Sequence, residues 1–260
     1  MSARARRTLG RVLAVATPLA LIAIWWAWSG SAESFYFPPL KDILDTFVDV
    51  WLGPRLVDDV LPSLRRLALG YALAALLGVG LGVLLGRAPG VRRATGPILE
   101  FLRAIPPPLL IPVGMLVLGV GDGMKVAVIA LVCLFPVLLN TTDGVRGVDP
   151  VLLDTGRTYG LSRATTLRRI VLPAAAPQIV AGLRTSLGMA LILMVISEMV
   201  ASQNGIGFTI LQAQRTFALP EMWSGILLLG ILGVVLNALF ALVERRALRW
   251  QRGARRRQNA

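Results

Sequence analysis

The sequence predicts an all-α protein that crosses a membrane several times, and three observations carry that prediction. Of the 260 residues, 55% are hydrophobic and 16% charged, against about 25% charged in a soluble domain. Mean hydropathy is +0.70. The apolar residues gather into six stretches, and in hydrocarbon every backbone N–H and C=O needs an internal partner, which a helix supplies. The chain length suits one bundle of such spans, at about 20 residues each.

The first predicted span is 12–29, behind a basic start and ending in Trp25, Trp26 and Trp28. Tryptophan gathers at membrane interfaces. A cleaved leader is the competing reading, with Ser29-Gly30-Ser31-Ala32 as its small-residue end. The apolar run is longer than a usual leader's, and its tryptophans fit anchoring better. The second span, 67–86, has a small residue at every fourth position: Gly70, Ala74, Gly78, Gly82 and Gly86. That stripe lets another helix approach closely. The third, 100–120, contains the Pro106-Pro107-Pro108 run. The fourth is 125–143 and closes on Asn140-Thr141-Thr142. The fifth, 176–200, holds Arg184 and Ser186, and the sixth is 224–244. Polar and proline-bearing helices are tolerated where they face protein or a water-filled cavity. The middle three spans are therefore expected beside a transport path, with ordinary helix packing as the alternative.

Charge placement predicts orientation. With the N-terminus cytoplasmic, twenty basic residues fall on the inner side, in groups around Arg4–Arg11, Arg87–Arg103, Arg146–Arg169 and Arg245–Arg257. Six fall outside: Lys41, Arg55, Arg65, Arg66, Lys125 and Arg215. The positive-inside rule then puts both termini in the cytoplasm. Arg65 and Arg66 are expected to snorkel to the outer interface. The net charge of +13 does not point to nucleic acid, because the charges flank apolar runs. Cys133 is the one cysteine and there is no histidine, which excludes an internal disulfide and Cys/His metal sites. No cofactor is expected. A G-x-x-x-x-G-K-[ST] phosphate loop is absent, so the chain is expected to have no ATP site and no enzymatic activity.

The loop 143–173 joins the fourth and fifth spans and is too long for a plain connection. Asp149-Pro150 reads as an N-cap followed by proline at the first helical position. Val151, Leu152, Gly156 and Tyr159 share a face, and Gly160 stops the helix. Ser162 is placed to cap a second short helix, which Leu172-Pro173 is expected to end. The product is a helix–turn–helix elbow. Within it, Asp154-Thr155-Gly156, then Gly160, then Ile170-x-Leu172-Pro173 resembles the EAA loop of the inner-membrane permease subunits of bacterial binding-protein-dependent ABC importers. Asp154 stands where the family pattern has Glu, and Thr155-Gly156 where it has two alanines. Phe101–Pro107, Gly119–Asp122, Ser197–Ala201 and Gly205–Gly207 are similar to the nitrate, taurine and aliphatic-sulfonate branch.

The resemblance implies a multi-pass protein of the cell inner membrane that forms the path for a small solute, of which sulfonate, taurine and nitrate are the candidates. Its implied partners are cytoplasmic ATP-binding cassette ATPase subunits, a periplasmic or lipid-anchored substrate-binding protein, and a second copy of the chain. The residues implied in ATPase coupling are Asp154, Thr155, Gly156, Tyr159, Gly160, Leu161, Ser162, Arg163, Ile170, Leu172 and Pro173. Polarity breaks and the resemblance together put Pro107, Met115, Ser186, Met189, Ser197 and Glu198 beside the path. The runner-up reading is an ATP-independent channel or secondary transporter, for which Arg184 and Glu198 would be the intramembrane charges.

Overall fold

The computed structural model describes residues 3–31 and 34–249, and no strand occurs among them. The helices are α1 (Ala3–Ser31), α2 (Leu40–Trp51), α3 (Leu61–Arg87), α4 (Pro89–Ala104), α5 (Leu110–Leu118), α6 (Asp122–Arg146), α7 (Pro150–Thr158), α8 (Arg163–Thr166), α9 (Leu172–Ala201), α10 (Ile206–Arg215) and α11 (Leu219–Ala247). Arg252, Arg255, Arg256 and Arg257, which the orientation reading uses, and Ala32 of the leader reading lie outside the described residues. Among the described residues, four helical stretches are long and apolar enough to cross a membrane: Leu56–Arg87, Asp122–Arg146, Arg163–Ala201 and Leu219–Ala247. The bent pair Pro89–Ala104 and Pro107–Leu118 makes a fifth if counted as one span. Helix α1 runs over the first predicted span.

Helices α3, α6 and α9 form the core, with α6 in the middle. The small-residue stripe of α3 is the reason. A Cβ on Gly70, Gly78, Gly82 or Gly86 would stand 2.5–2.8 Å from Ile129, Val137, Thr141 or Val145 of α6. Each glycine meets the residue one turn further along, so the two helices run parallel and in register. Ala74, fully buried, continues the seam. On its other face α6 meets α9. Gly144 packs on Gln178 and Ala175, and Gly182 packs on Pro136 and Asn140. Without a solvent-driven force between helices in lipid, this close backbone approach and its dispersion energy hold the trio together.

The third predicted span is not a straight rod. Helices α4 and α5 meet at 88°. Ile105 is extended (φ −69°, ψ 123°), as a residue before proline prefers, and Pro106, Pro107 and Pro108 offer no N–H to continue a helix.

A second difference concerns Leu172-Pro173. The loop helix does not end there. A π turn at Leu167–Val171 links α8 to α9, with the Leu172 N–H bonded five residues back to Leu167. The wider turn leaves Pro173 with no bond to lose, and the helix continues from Arg163 to Ala201, 39 residues. The same device precedes α3, where the π turn Leu56–Val60 is followed by Leu61-Pro62.

Two short helices, α2 and α10, lie outside both the predicted spans and the predicted elbow. Helix α2 packs on α11, where the Trp51 indole N–H donates to Ser224 Oγ at 2.9 Å. Nearby, Trp25, Phe37 and Trp223 stack at ring separations of 5.7–6.2 Å, an aromatic belt at the end of α1. Helix α10 follows the turn after α9.

Candidate coupling elbow and translocation path

The elbow is built as its residues dictate. The Asp149 carboxylate accepts from the Val151 N–H at 2.9 Å. At the other end of α7, Gly160 takes φ +64°. That conformation lets the Leu161 N–H reach Gly156 O and the Gly160 N–H reach Arg157 O, both at 2.9 Å. This double closure is the Schellman motif. Ser162 then accepts from the Thr165 N–H at 3.2 Å and opens α8. The arms pack at one point: a Cβ on Gly156 would stand 2.9 Å from Ile170 Cδ1. The two ends of the sequence motif thus touch, and the small residue at 156 is needed for that contact. Asp154 pairs with Arg157 at 2.8 Å on the exposed side. Thr155 and Arg163 are exposed, Leu172 and Pro173 half-buried. The tip presents apolar surface, with Val151 67%, Tyr159 79% and Leu161 37% exposed. The expected shared face of α7 divides, since Gly156 turns inward while Val151, Leu152 and Tyr159 turn out.

Pro107 and Met189 come together. Both line a cavity of about 250 Å³ beneath the α4–α5 corner, with Arg103, Phe135, Pro136 and Leu139. A neighbouring cavity of about 370 Å³ shares Arg103 and Leu139 and adds Arg92, Arg93, Arg146, Glu100 and Asp143. Met115 packs half-buried against the core. Ser186, Ser197 and Glu198 lie elsewhere, each fully buried. The two serine hydroxyls donate to their own helix, at Leu183 O and Met194 O.

Glu198 belongs to an ion network at the end of the core opposite the elbow. Arg66, 3% exposed, bonds Glu198 Oε1 and Asp122 Oδ1, both at 2.7 Å. Its third nitrogen bonds Asn204 Oδ1 at 2.6 Å. The Ser63 hydroxyl lies 2.7 and 2.9 Å from the two Glu198 oxygens, and the Gly207 N–H donates to Glu198 at 3.0 Å. Asp59 accepts from the Gly205 N–H and the Thr209 hydroxyl. Gly205, at φ +116°, has its Cα so close that a Cβ would stand 2.6 Å from the Glu198 carboxyl carbon. Arg66 therefore does not snorkel; a full set of acceptors inside the protein outweighs the interface. Arg65 does stay exposed. Asp59, Ser63, Arg66, Asp122 and Asn204 are site residues that sequence reasoning missed. Arg184 pairs instead with Glu244 of α11 at 3.4 Å, and Asn237 bonds its own helix at Gly233 O. No cluster of metal-ligand type occurs among the described residues.

The comparisons place this all-helical core, with its Schellman-closed elbow between α6 and α9, in a class. Residues 75–249 match the family model described as binding-protein-dependent transport system inner membrane component, and the chain belongs to that family. Within it, the relatives lie in the sulfonate, taurine and nitrate branch of ABC importer permeases. The putative aliphatic sulfonates transport permease protein of Bacillus subtilis is 31% identical, over 95% of this chain and 90% of its own length. The taurine transport system permease protein of Escherichia coli is 29% identical, over 92% and 89%. Among solved structures, the MetNI methionine ABC transporter in its inward-facing conformations shares the fold, with a TM-score of 0.66 at 20% identity over 76% of this chain and 97% of that one.

Proposed function

We propose that two copies of this chain form the translocation path for a small solute that carries an anionic group, a sulfonate, taurine or nitrate, delivered by an extracytoplasmic binding protein. The drive is ATP hydrolysis in separate ATPase subunits that dock on the elbow, with both termini in the cytoplasm. One observation carries the reading: the exposed apolar tip at Tyr159–Leu161 is joined to the fifth span by one unbroken helical stretch, Arg163–Ala201. A push on the tip is thereby a push on that span. The anion preference is supported by the cavity chain beneath the α4–α5 corner, where four arginines face two carboxylates. The Asp154–Arg157 pair orients the tip by a charge-assisted bond, and Gly160 supplies the turn.

Gly160→Val tests the reading. Valine at positive φ costs roughly 1–3 kcal/mol of backbone strain, in a turn that closes no membrane contact. The variant is expected to insert normally, to lose substrate uptake in reconstituted vesicles, and to lose binding-protein stimulation of ATP hydrolysis. Asp154→Ala is expected to be mild, because an exposed pair contributes about 0–1 kcal/mol. Normal transport by inserted Gly160→Val would remove the elbow as the coupling element. Uptake without any ATPase subunit would favour a channel or secondary transporter.

A further inference from the structure

Behind the elbow lies a further cavity, which shares Arg157, Leu161 and Arg163 with the docking tip and Arg146 with the cavity under the α4–α5 corner. It measures about 650 Å³, is open on one side, and is bordered by the last residues of α3 and α6 and by residues of the elbow from Val148 to Val171. Four arginines line it, Arg87, Arg146, Arg157 and Arg163, and no carboxylate does. Arg146 and Arg157 are 49% and 80% exposed and pair with Asp143 and Asp154 at 3.6 and 2.8 Å, carboxylates that are not part of the cavity wall. Arg87 and Arg163 have no carboxylate partner among the described residues. The rest of the wall is apolar, chiefly Val145, Val148, Leu153, Leu161 and Val171.

Position adds to charge. Arg87 closes α3 directly after a membrane-length apolar run, and Arg146, at the end of α6, stands level with it because Gly86 meets Val145 in the seam. The cavity therefore sits where hydrocarbon gives way to head groups, the level at which basic pockets between spanning helices take acidic lipid heads. We propose that this cavity binds the phosphate of an anionic phospholipid, with the arginine forks on the phosphate oxygens and the valine and leucine wall against the glycerol and upper acyl chains. Guanidinium matches phosphate in a bidentate geometry that lysine lacks. A free phosphate uses the arginines but has no need of the apolar wall, and that favours the lipid. The bound lipid would brace the elbow against α3, so elbow stiffness would depend on membrane composition.

The test uses the full importer, purified with its ATPase subunits. Native mass spectrometry after exchange into phosphatidylcholine nanodiscs doped with phosphatidylglycerol is expected to find phosphatidylglycerol retained on the permease. Arg87→Gln and Arg163→Gln are each expected to lower retention about fivefold, equivalent to about 1 kcal/mol per arginine near a membrane surface. In the wild-type complex, a photoreactive phosphatidylglycerol is expected to cross-link within 145–171, a readout that needs no variant to fold. Three results would overturn the proposal. The double variant could retain lipid as the wild type does. Millimolar inorganic phosphate could displace the lipid completely, which would make this a small-anion site. Lipid could bind only after the ATPase subunits are stripped away, which would make the cavity part of their docking surface.

Discussion

Arg66 shows how much one turn of a helix decides. Its neighbour Arg65 is exposed, while Arg66 is buried and fully bonded. The difference was in the sequence, though not in its charge count. Arg66 lies four residues before Gly70, on the stripe that continues through Ala74, Gly78, Gly82 and Gly86, and residues four apart share a helix face. Arg65 lies off that face. The stripe's register puts Arg66 opposite Lys125, with Asp122 one turn earlier taking both cations, at 2.7 and 3.7 Å. The partners at Glu198 and Asn204 could not be read, because they come from the far end of α9 and only the fold brings them near. Removing one member of a buried pair costs about 3–5 kcal/mol, since the other charge stays buried. Glu198→Ala is expected to lower the thermal midpoint of the detergent-solubilised protein markedly. Glu198→Gln keeps an acceptor for Gly207 and is expected to lose less. Arg65→Ala should stay within about 0.5 kcal/mol, as surface changes do. Equal midpoints for Glu198→Ala and Arg65→Ala would show that the network contributes nothing to folding.

Among the elements, α3 was the most legible and the third span the least. A period-four run of small residues has few readings other than close packing, and α6 fills that place. The triple proline was visible too, but the angle it produces depends on what α4 and α5 pack against. The Leu-Pro pair at 172–173 misled for a specific reason: proline breaks an α-helix, but a π turn just before it removes the bond that proline would break. The glycine seam makes a sharp prediction within a single helix. Gly78 faces Val137 with no room for a Cβ, whereas Gly80, two residues on, has nothing within 4 Å. Gly78→Leu is expected to overpack the seam at a cost of at least about 1–3 kcal/mol and to reduce the yield of monodisperse permease in size-exclusion chromatography. Gly80→Leu should behave as wild type. Matching profiles for the two would mean that α3 does not meet α6 through this face.

For the whole molecule, the fold class and the family followed from hydropathy and from one loop motif, because both depend on residues close in sequence. The cavities and the ion network depend on contacts between distant spans, and only single members of them, Pro107, Met189 and Glu198, were legible. Orientation is open to direct measurement. Cys133 is buried and the one native cysteine, so single cysteines placed elsewhere report cleanly. A cysteine at Ser31 is expected to react with a membrane-impermeant thiol reagent from outside intact cells. One at Ala254, beyond the described residues, should react only after permeabilisation. Labelling of Ala254 in intact cells would invert the topology.

The unbroken stretch from Arg163 to Ala201 has a mechanical consequence. At 1.5 Å per residue its 39 residues measure about 58 Å. It begins at the elbow and ends three residues past Glu198, in the ion network. Under the proposed coupling, a stroke delivered at the elbow would therefore act, through one continuous helical stretch, on the ion network at the far end of the core.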